Sequence, residues 1–147
     1  MRDFTNRIQV KRVISPVTQT NSDTALVGQI IDRQGFESVT FVIATGGLTD
    51  ADATFTVLLE EGDNSALSDN TAVADADMIS QSTSAPETAA SFTFTHDDQV
   101  RKLGYIGTKR YLRLTITPSG NNSGAAPLCA MALLANATMQ PVVQATA

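Results

Sequence analysis

Alternation with a period of two runs through most of this chain, and it limits the fold more than any other feature. Phe55, Val57 and Leu59 alternate with Thr54, Thr56 and Leu58. Leu112, Leu114 and Ile116 alternate with Tyr111, Arg113, Thr115 and Thr117. Val39, Phe41 and Ile43 alternate with Thr40, Val42 and Ala44, and Phe92 and Phe94 with Ser91, Thr93 and Thr95. Successive side chains on a strand point to opposite faces, so each segment has one face to bury. Thr, Val, Ile and Phe also suit a half-buried pleated surface.

Less regular segments extend the pattern. Ile8 to Ile14 reads as a strand interrupted by Arg12, and Val100 to Ile106 as a short one. Ala25 to Ile31 is apolar with Gly28 inside it, the mark of a bulge. Leu128 to Ala135 is apolar on both faces and reads as a central strand covered on both sides, with a short helix as the rival reading. Gly46-Gly47 and Gly62-Asp63-Asn64 supply turns, and Gly107-Thr108 suits a two-residue hairpin. Gly120 to Gly124 reads as a flexible loop, and Asp63 to Ala90 as a long connection in which Ser68-Asp69-Asn70 caps a helical turn. The expectation is an all-β fold, a sandwich or jelly-roll of about eight strands.

The 147 residues suit one domain, 1–147, with 1–23 and 139–147 as extended, flexible arms. Within the first arm, Ser15 to Asp23 is polar and carries Pro16. One cysteine, Cys129, excludes an intramolecular disulfide and reads as a small core residue. The longest apolar run, Ala125 to Ala135, is too short for a membrane span, and the charged N-terminus does not read as a signal peptide.

Charge is unevenly placed. The net charge is −5, yet Gln34 to Val100 holds twelve acids and no Lys or Arg. An acidic chain argues against a nucleic-acid partner. The cations gather near the N-terminus and between Arg101 and Arg113. Arg7, Lys11, Arg12, Arg101, Lys102, Lys109, Arg110 and Arg113 are therefore the candidates for contact with an acidic protein surface, the Gln34–Val100 stretch of another copy among them. A plain solvated face is the alternative.

Little suggests catalysis. His96-Asp97-Asp98 holds the only histidine and reads as a solvated turn. Asp50, Asp52, Asp75 and Asp77 read as solvated loop acids, short of a calcium loop. The pairs Thr54/Thr56, Thr93/Thr95 and Thr115/Thr117 read as outward-facing strand residues. No nucleophile, base and orienter assemble into a familiar motif, so neither an enzyme nor a cofactor or metal is expected.

The run Leu103-Gly104-Tyr105-Ile106-Gly107-Thr108-Lys109-Arg110-Tyr111-Leu112-Arg113-Leu114 resembles a segment of the small head-decoration, or cement, proteins of tailed bacteriophages. The likeness is close over these residues. Elsewhere it rests on size, β-character and an Ala- and Thr-rich composition without Trp. It implies a compact β-sandwich on the outer capsid surface of a virion, clamping neighbouring major capsid subunits and acting as a homo-oligomer, dimer or trimer, with no membrane partner. Another virion β-protein (tail tube, connector or fibre-associated) and a carbohydrate-binding jelly-roll are the other readings. The last wants exposed aromatic platforms, whereas Phe41, Phe55, Phe92 and Phe94 are expected to point inward.

Overall fold

A computed structural model describes residues 3–81 and 85–144. In chain order they form a 3-10 turn (Thr5–Arg7), β1 (Gln9–Thr20), β2 (Leu26–Val27), β3 (Ile31–Asp32), β4 (Phe36–Thr45), β5 (Thr54–Gly62) and β6 (Thr71–Ala72). A second 3-10 turn (Asp75–Asp77), β7 (Met78–Ile79), α1 (Pro86–Ala90), β8 (Phe92–Thr93), β9 (Val100–Tyr105), β10 (Tyr111–Ser119) and β11 (Ala125–Ala137) follow. Two antiparallel sheets make a β-sandwich. One runs β1-β11-β4-β9-β7. The other runs β2-β10-β5-β6, with β3 also on β10 and β8 also on β5. The strand count exceeds the expected eight because β2, β3, β6, β7 and β8 have two residues each, too few to show a period.

The alternating residues face one another across the sandwich. Phe41 and Ile43 of β4 and Leu103 of β9 meet Leu59 of β5 and Leu112, Leu114 and Ile116 of β10, all fully buried. Phe55 and Phe92 stack with ring centroids 4.8 Å apart, which holds β8 on β5. Phe94 departs from expectation. The chain turns after Thr93, so the ring lies 36% exposed rather than in the core.

Gly28 and Gln29 bridge the two sheets. The Gly28 N–H donates to the Leu114 carbonyl of one sheet at 2.9 Å, and the next N–H, of Gln29, donates to Val13 of the other at 2.9 Å. A Cβ on Gly28 would lie 2.4 Å from the Leu114 oxygen and 2.7 Å from Val13 Cγ1. The expected bulge is instead a break between β2 and β3, both of which pair with β10.

Several connections are tighter than their composition suggests. Ser15 to Thr20 is no arm: it is the second half of β1, with register shifts around Ile14 that let an edge strand absorb Pro16. The described part of the C-terminal stretch is also tied down. Gln144 uses its side-chain amide as a stand-in peptide, accepting from Val10 N at 2.9 Å and donating to Val10 O at 2.6 Å. Residues 145–147 lie outside the described residues. The Asp63–Ala90 connection contains β6, β7 and α1, and Asp69 accepts the Asp63 amide instead of capping a helix.

The exposed edge of β5 is closed piecemeal. Between β8 and β6, Val57 N donates to Ser91 Oγ at 2.9 Å and Leu59 N to Glu87 Oε1 at 2.6 Å. Short strands and side-chain acceptors thus blunt an edge that would otherwise template another strand. Burial raises the Glu87 carboxyl above its ordinary pKa.

Candidate protein-contact faces

Residues Leu103 to Leu114 do not form a hairpin. β9 pairs with β4 and β7, whereas β10 pairs with β5, β2 and β3, so the run carries the chain from one sheet to the other. Its composition follows from that corner. The Tyr105 ring is buried, and its hydroxyl donates to Glu61 while accepting from Lys109 N at 2.9 Å. Burial, then Glu61, hold the Tyr105 hydroxyl far above its ordinary pKa. Gly107 packs on that ring: a Cβ there would come within 2.5 Å of the hydroxyl. Arg33 lies over the ring at 5.5 Å and donates to the carbonyls of Lys109 and Gly107. Nothing in the spacing of the sequence pointed to Arg33.

The cations of this corner pair within the chain. Lys109 meets Asp63, Arg110 meets Asp32 at 2.7 Å, and Arg113 meets Glu60 at 2.9 Å. The Arg110 guanidinium holds the Asp32 carboxyl below its ordinary pKa, and Asp63 raises the Lys109 ammonium. Arg113 and Glu60 are directly opposite on β10 and β5, and both are mostly covered. The acidic stretch Gln34–Val100 thus supplies two of these partners, Asp63 and Glu60, to the basic segment of the same chain, and Asp32 just before it supplies the third.

The remaining candidates scatter. Arg7 is exposed in the first 3-10 turn. Lys11 donates to the Asp32 carbonyl at 2.9 Å, and Arg101 donates to Ala89 O at 2.8 Å, covering the end of α1. Arg12 and Lys102 come together in another way. Arg12 is opposite Met131, Met131 opposite Val42, and Val42 opposite Lys102, so one row across four strands has an exposed cation at each end. Neither forms an ion pair among the described residues.

That row belongs to the outer face of the five-stranded sheet. A second row runs Val10, Leu133, Thr40, Gly104 and Ile79, and a third places Cys129, Ala44 and Val100 together. Met131 is 36% exposed, Ile79 56% and Val100 70%. Beside them Pro16, Ala44, Pro127 and Cys129 line an apolar groove of about 380 Å³. This corrects two expectations. β11 is covered on one face only, and Cys129 lies half-exposed on the other, outside the core.

The outer face of the second sheet is mainly polar, with Val27 and Leu58 on either side of Thr115 as its exposed apolar members. Thr56 opposes Thr117 and Thr54 opposes Thr93, with Glu60 and Arg113 in the same register. Thr115 is buried beside them.

Of the acids expected to be solvated, Asp50 departs from expectation, whereas Asp52 and Asp75 are exposed. Asp50 is buried and accepts from Ser123 N at 2.7 Å and Asp52 N at 3.2 Å, bonds that lower its pKa. Asp23 accepts from Asn121 N at 2.8 Å. Together they pin the Gly120–Gly124 loop, which is therefore not free. His96 Nδ1 accepts from Thr93 N at 3.0 Å, and Asp97 accepts from Leu48 N at 2.7 Å, closing the turn onto its neighbour. No group of three or more His, Cys, Asp or Glu gathers in metal-binding geometry among the described residues.

No family model and no curated protein matches the chain. Among solved structures it is similar to the PBSX exported protein XepA, with a TM-score of 0.55 and 13% identity over 94% of this chain. The chain spans 40% of that protein. A xylan-binding module, CBM15, overlaps 93% of this chain at 10% identity with a TM-score of 0.38. A family two carbohydrate esterase from Cellvibrio japonicus overlaps 96% at 16% identity with a TM-score of 0.36. The first likeness is one of fold.

Proposed function

We propose that this chain is a non-catalytic structural protein of a phage virion that binds the outer capsid surface, stabilises contacts between major capsid subunits and works as a homo-oligomer. The observation that carries this reading is the outer face of the five-stranded sheet, which is apolar and uncovered by any other part of the described chain. Antiparallel sandwiches ordinarily leave their outer faces polar, and a broad apolar face marks a contact surface. The likeness of Leu103–Leu114 to cement proteins supports the capsid as the partner. In this chain that segment is the corner joining the sheets, so the likeness concerns how such a sandwich is built. The sandwich shared with XepA agrees with the reading at the level of fold. A shell protein present in many copies needs only a modest contact per copy, because linked contacts reinforce one another.

Quantitative protein analysis of purified virions of the encoding phage tests the proposal. The expected copy number scales with that of the major capsid subunit, and particles lacking the chain lose their DNA at lower temperature. Virions without this polypeptide, or with only enough for one ring, overturn it.

A further inference from the structure

We infer that the outer face of the five-stranded sheet is the surface that meets the partner, and that the partner presents an apolar patch edged by carboxylates. The inference rests on the capsid role proposed above and adds to it the face used and the chemistry of the surface recognised. Three observations carry it.

The first is charge. Arg12 and Lys102 close the two ends of the Met131–Val42 row and lack ion-pair partners among the described residues. Gln29, with its amide turned to satisfy both groups, accepts from Arg12 at 2.7 Å, which leaves the positive charge uncompensated. Glu37 is the one carboxylate in these five strands, and it shares the parity of the inward-facing Val39 and Phe41 at the exposed start of β4. The face is therefore cationic on a chain whose net charge is −5. Across three strand spacings the two cations stand about 14 Å apart at their backbones.

The second is what this charge excludes. Two copies docked face to face would bring four cations together with no acid between them, a like-charge contact that disfavours the pair. Of a second copy's acids, Asp32, Glu60 and Asp63 already hold Arg110, Arg113 and Lys109, and the exposed Glu37, Asp52, Asp75 and Asp98 belong to none of the outward rows, so a face-to-face pair does not present them to Arg12 or Lys102.

The third is size. Five strands and the three outward rows give a face of roughly 400 Å². A stable isolated pair buries about 800 Å² on each partner. A face of this extent suits a contact repeated over a lattice better than a free-standing dimer.

Co-sedimentation of the full chain with capsids assembled from the encoding phage's major capsid subunit alone tests the inference. Wild-type chain is expected to bind, and to bind less as salt rises. Met131→Glu and Val42→Glu are expected to weaken binding about thirtyfold or more, as charges placed at an interface centre do. Arg12→Glu combined with Lys102→Glu is expected to weaken it about tenfold. Thr56→Glu and Thr117→Glu, on the opposite sheet, are expected to bind as wild type. Thermal melting accompanies every variant. If a central glutamate unfolds the chain, the Arg12/Lys102 reversal decides, because both side chains are exposed. Normal binding by that reversal overturns the charge recognition, and loss of binding only in the Thr56 and Thr117 variants overturns the face. A wild-type dimer in light scattering that Met131→Glu abolishes makes a second copy the occupant and overturns the stated partner. Wild-type chain that never sediments with capsids removes the capsid role itself, a failure distinct from the others.

Discussion

The outer faces of the two sheets arise from the same alternating pattern and reach opposite results. On the six-stranded sheet the outward positions are Thr54, Thr56, Leu58, Glu60, Arg113, Thr115 and Thr117, with Val27 beside Thr115, and the Arg–Glu pair is satisfied within the face. On the five-stranded sheet they are Leu133, Met131, Cys129, Val42 and Ala44, and the cations at its ends are unpaired among the described residues. The first face is mostly threonine and paired charge, with Val27 and Leu58 as its exposed apolar members. The second keeps the composition of a covered surface with nothing of the described chain to cover it. A charge therefore counts toward recognition only where the fold leaves it unspent: within the cluster Arg101–Arg113 all cations but Lys102 are spent on partners in the same chain, and Lys102 and the distant Arg12 are not.

The largest effect should come where the two sheets touch. Gly28→Val places atoms inside the Leu114 carbonyl and Val13 contacts, and is expected to cost about 3 kcal/mol. Chemical denaturation measures it, and a wild-type midpoint would show that the sheets can separate there freely. Next comes the corner. Tyr105→Phe leaves Glu61 and the Lys109 amide without the shared hydroxyl, a loss of about 1–2 kcal/mol by the same measurement. An unchanged melting curve would mean that water replaces the hydroxyl.

Arg113→Ala should cost about 1–2 kcal/mol, because Glu60 is left mostly covered and unpaired. Arg110→Ala, which unpairs a more exposed aspartate, should cost less. The reverse order would mean that the polar face is not held by its covered pair.

Acid should act on the paired and capping carboxylates rather than on the apolar face. Asp32, Asp50 and Asp69 all lie below the ordinary value of 3.8 when folded, so each adds stability above that value and loses it as pH falls through its folded pKa. Glu87 has the opposite sign: raised above 4.5, its contribution is lost as pH rises through its folded value. Net stability is expected to fall as pH drops below 3.8, and less steeply in Asp32→Asn. Melting temperatures across a pH series check this, and a curve that keeps rising on acidification would contradict it. The smallest effect belongs to the polar face itself. Thr56→Ala and Thr117→Ala should each change stability by less than about 0.5 kcal/mol, since both side chains point into water. A larger loss in either would reveal a contact on that face.

Much of the sandwich was legible in one dimension. The inward ranks Val39, Phe41, Ile43 and Leu112, Leu114, Ile116 are buried as their period required. Periodicity failed where strands were two residues long, as at Leu26–Val27, and where a turn residue had a tertiary reason. Gly107 looked like hairpin chemistry but makes room for the Tyr105 ring. Asp50 looked solvated, and Asp23 the end of a polar arm, because nothing local marks a carboxylate that will accept amides some 70 to 100 residues away.

What the sequence determined alone is that strands would alternate, that one face of each would be apolar, and that acids and bases would sit in separate blocks. Side-chain period and chain position carry that information directly. Which sheet each strand joins, which cation meets which acid, and which outer face stays apolar were decided only by tertiary structure. Those facts depend on register between distant strands: a shift of one residue would have turned Arg12, Met131, Val42 and Lys102 inward and erased the face they form.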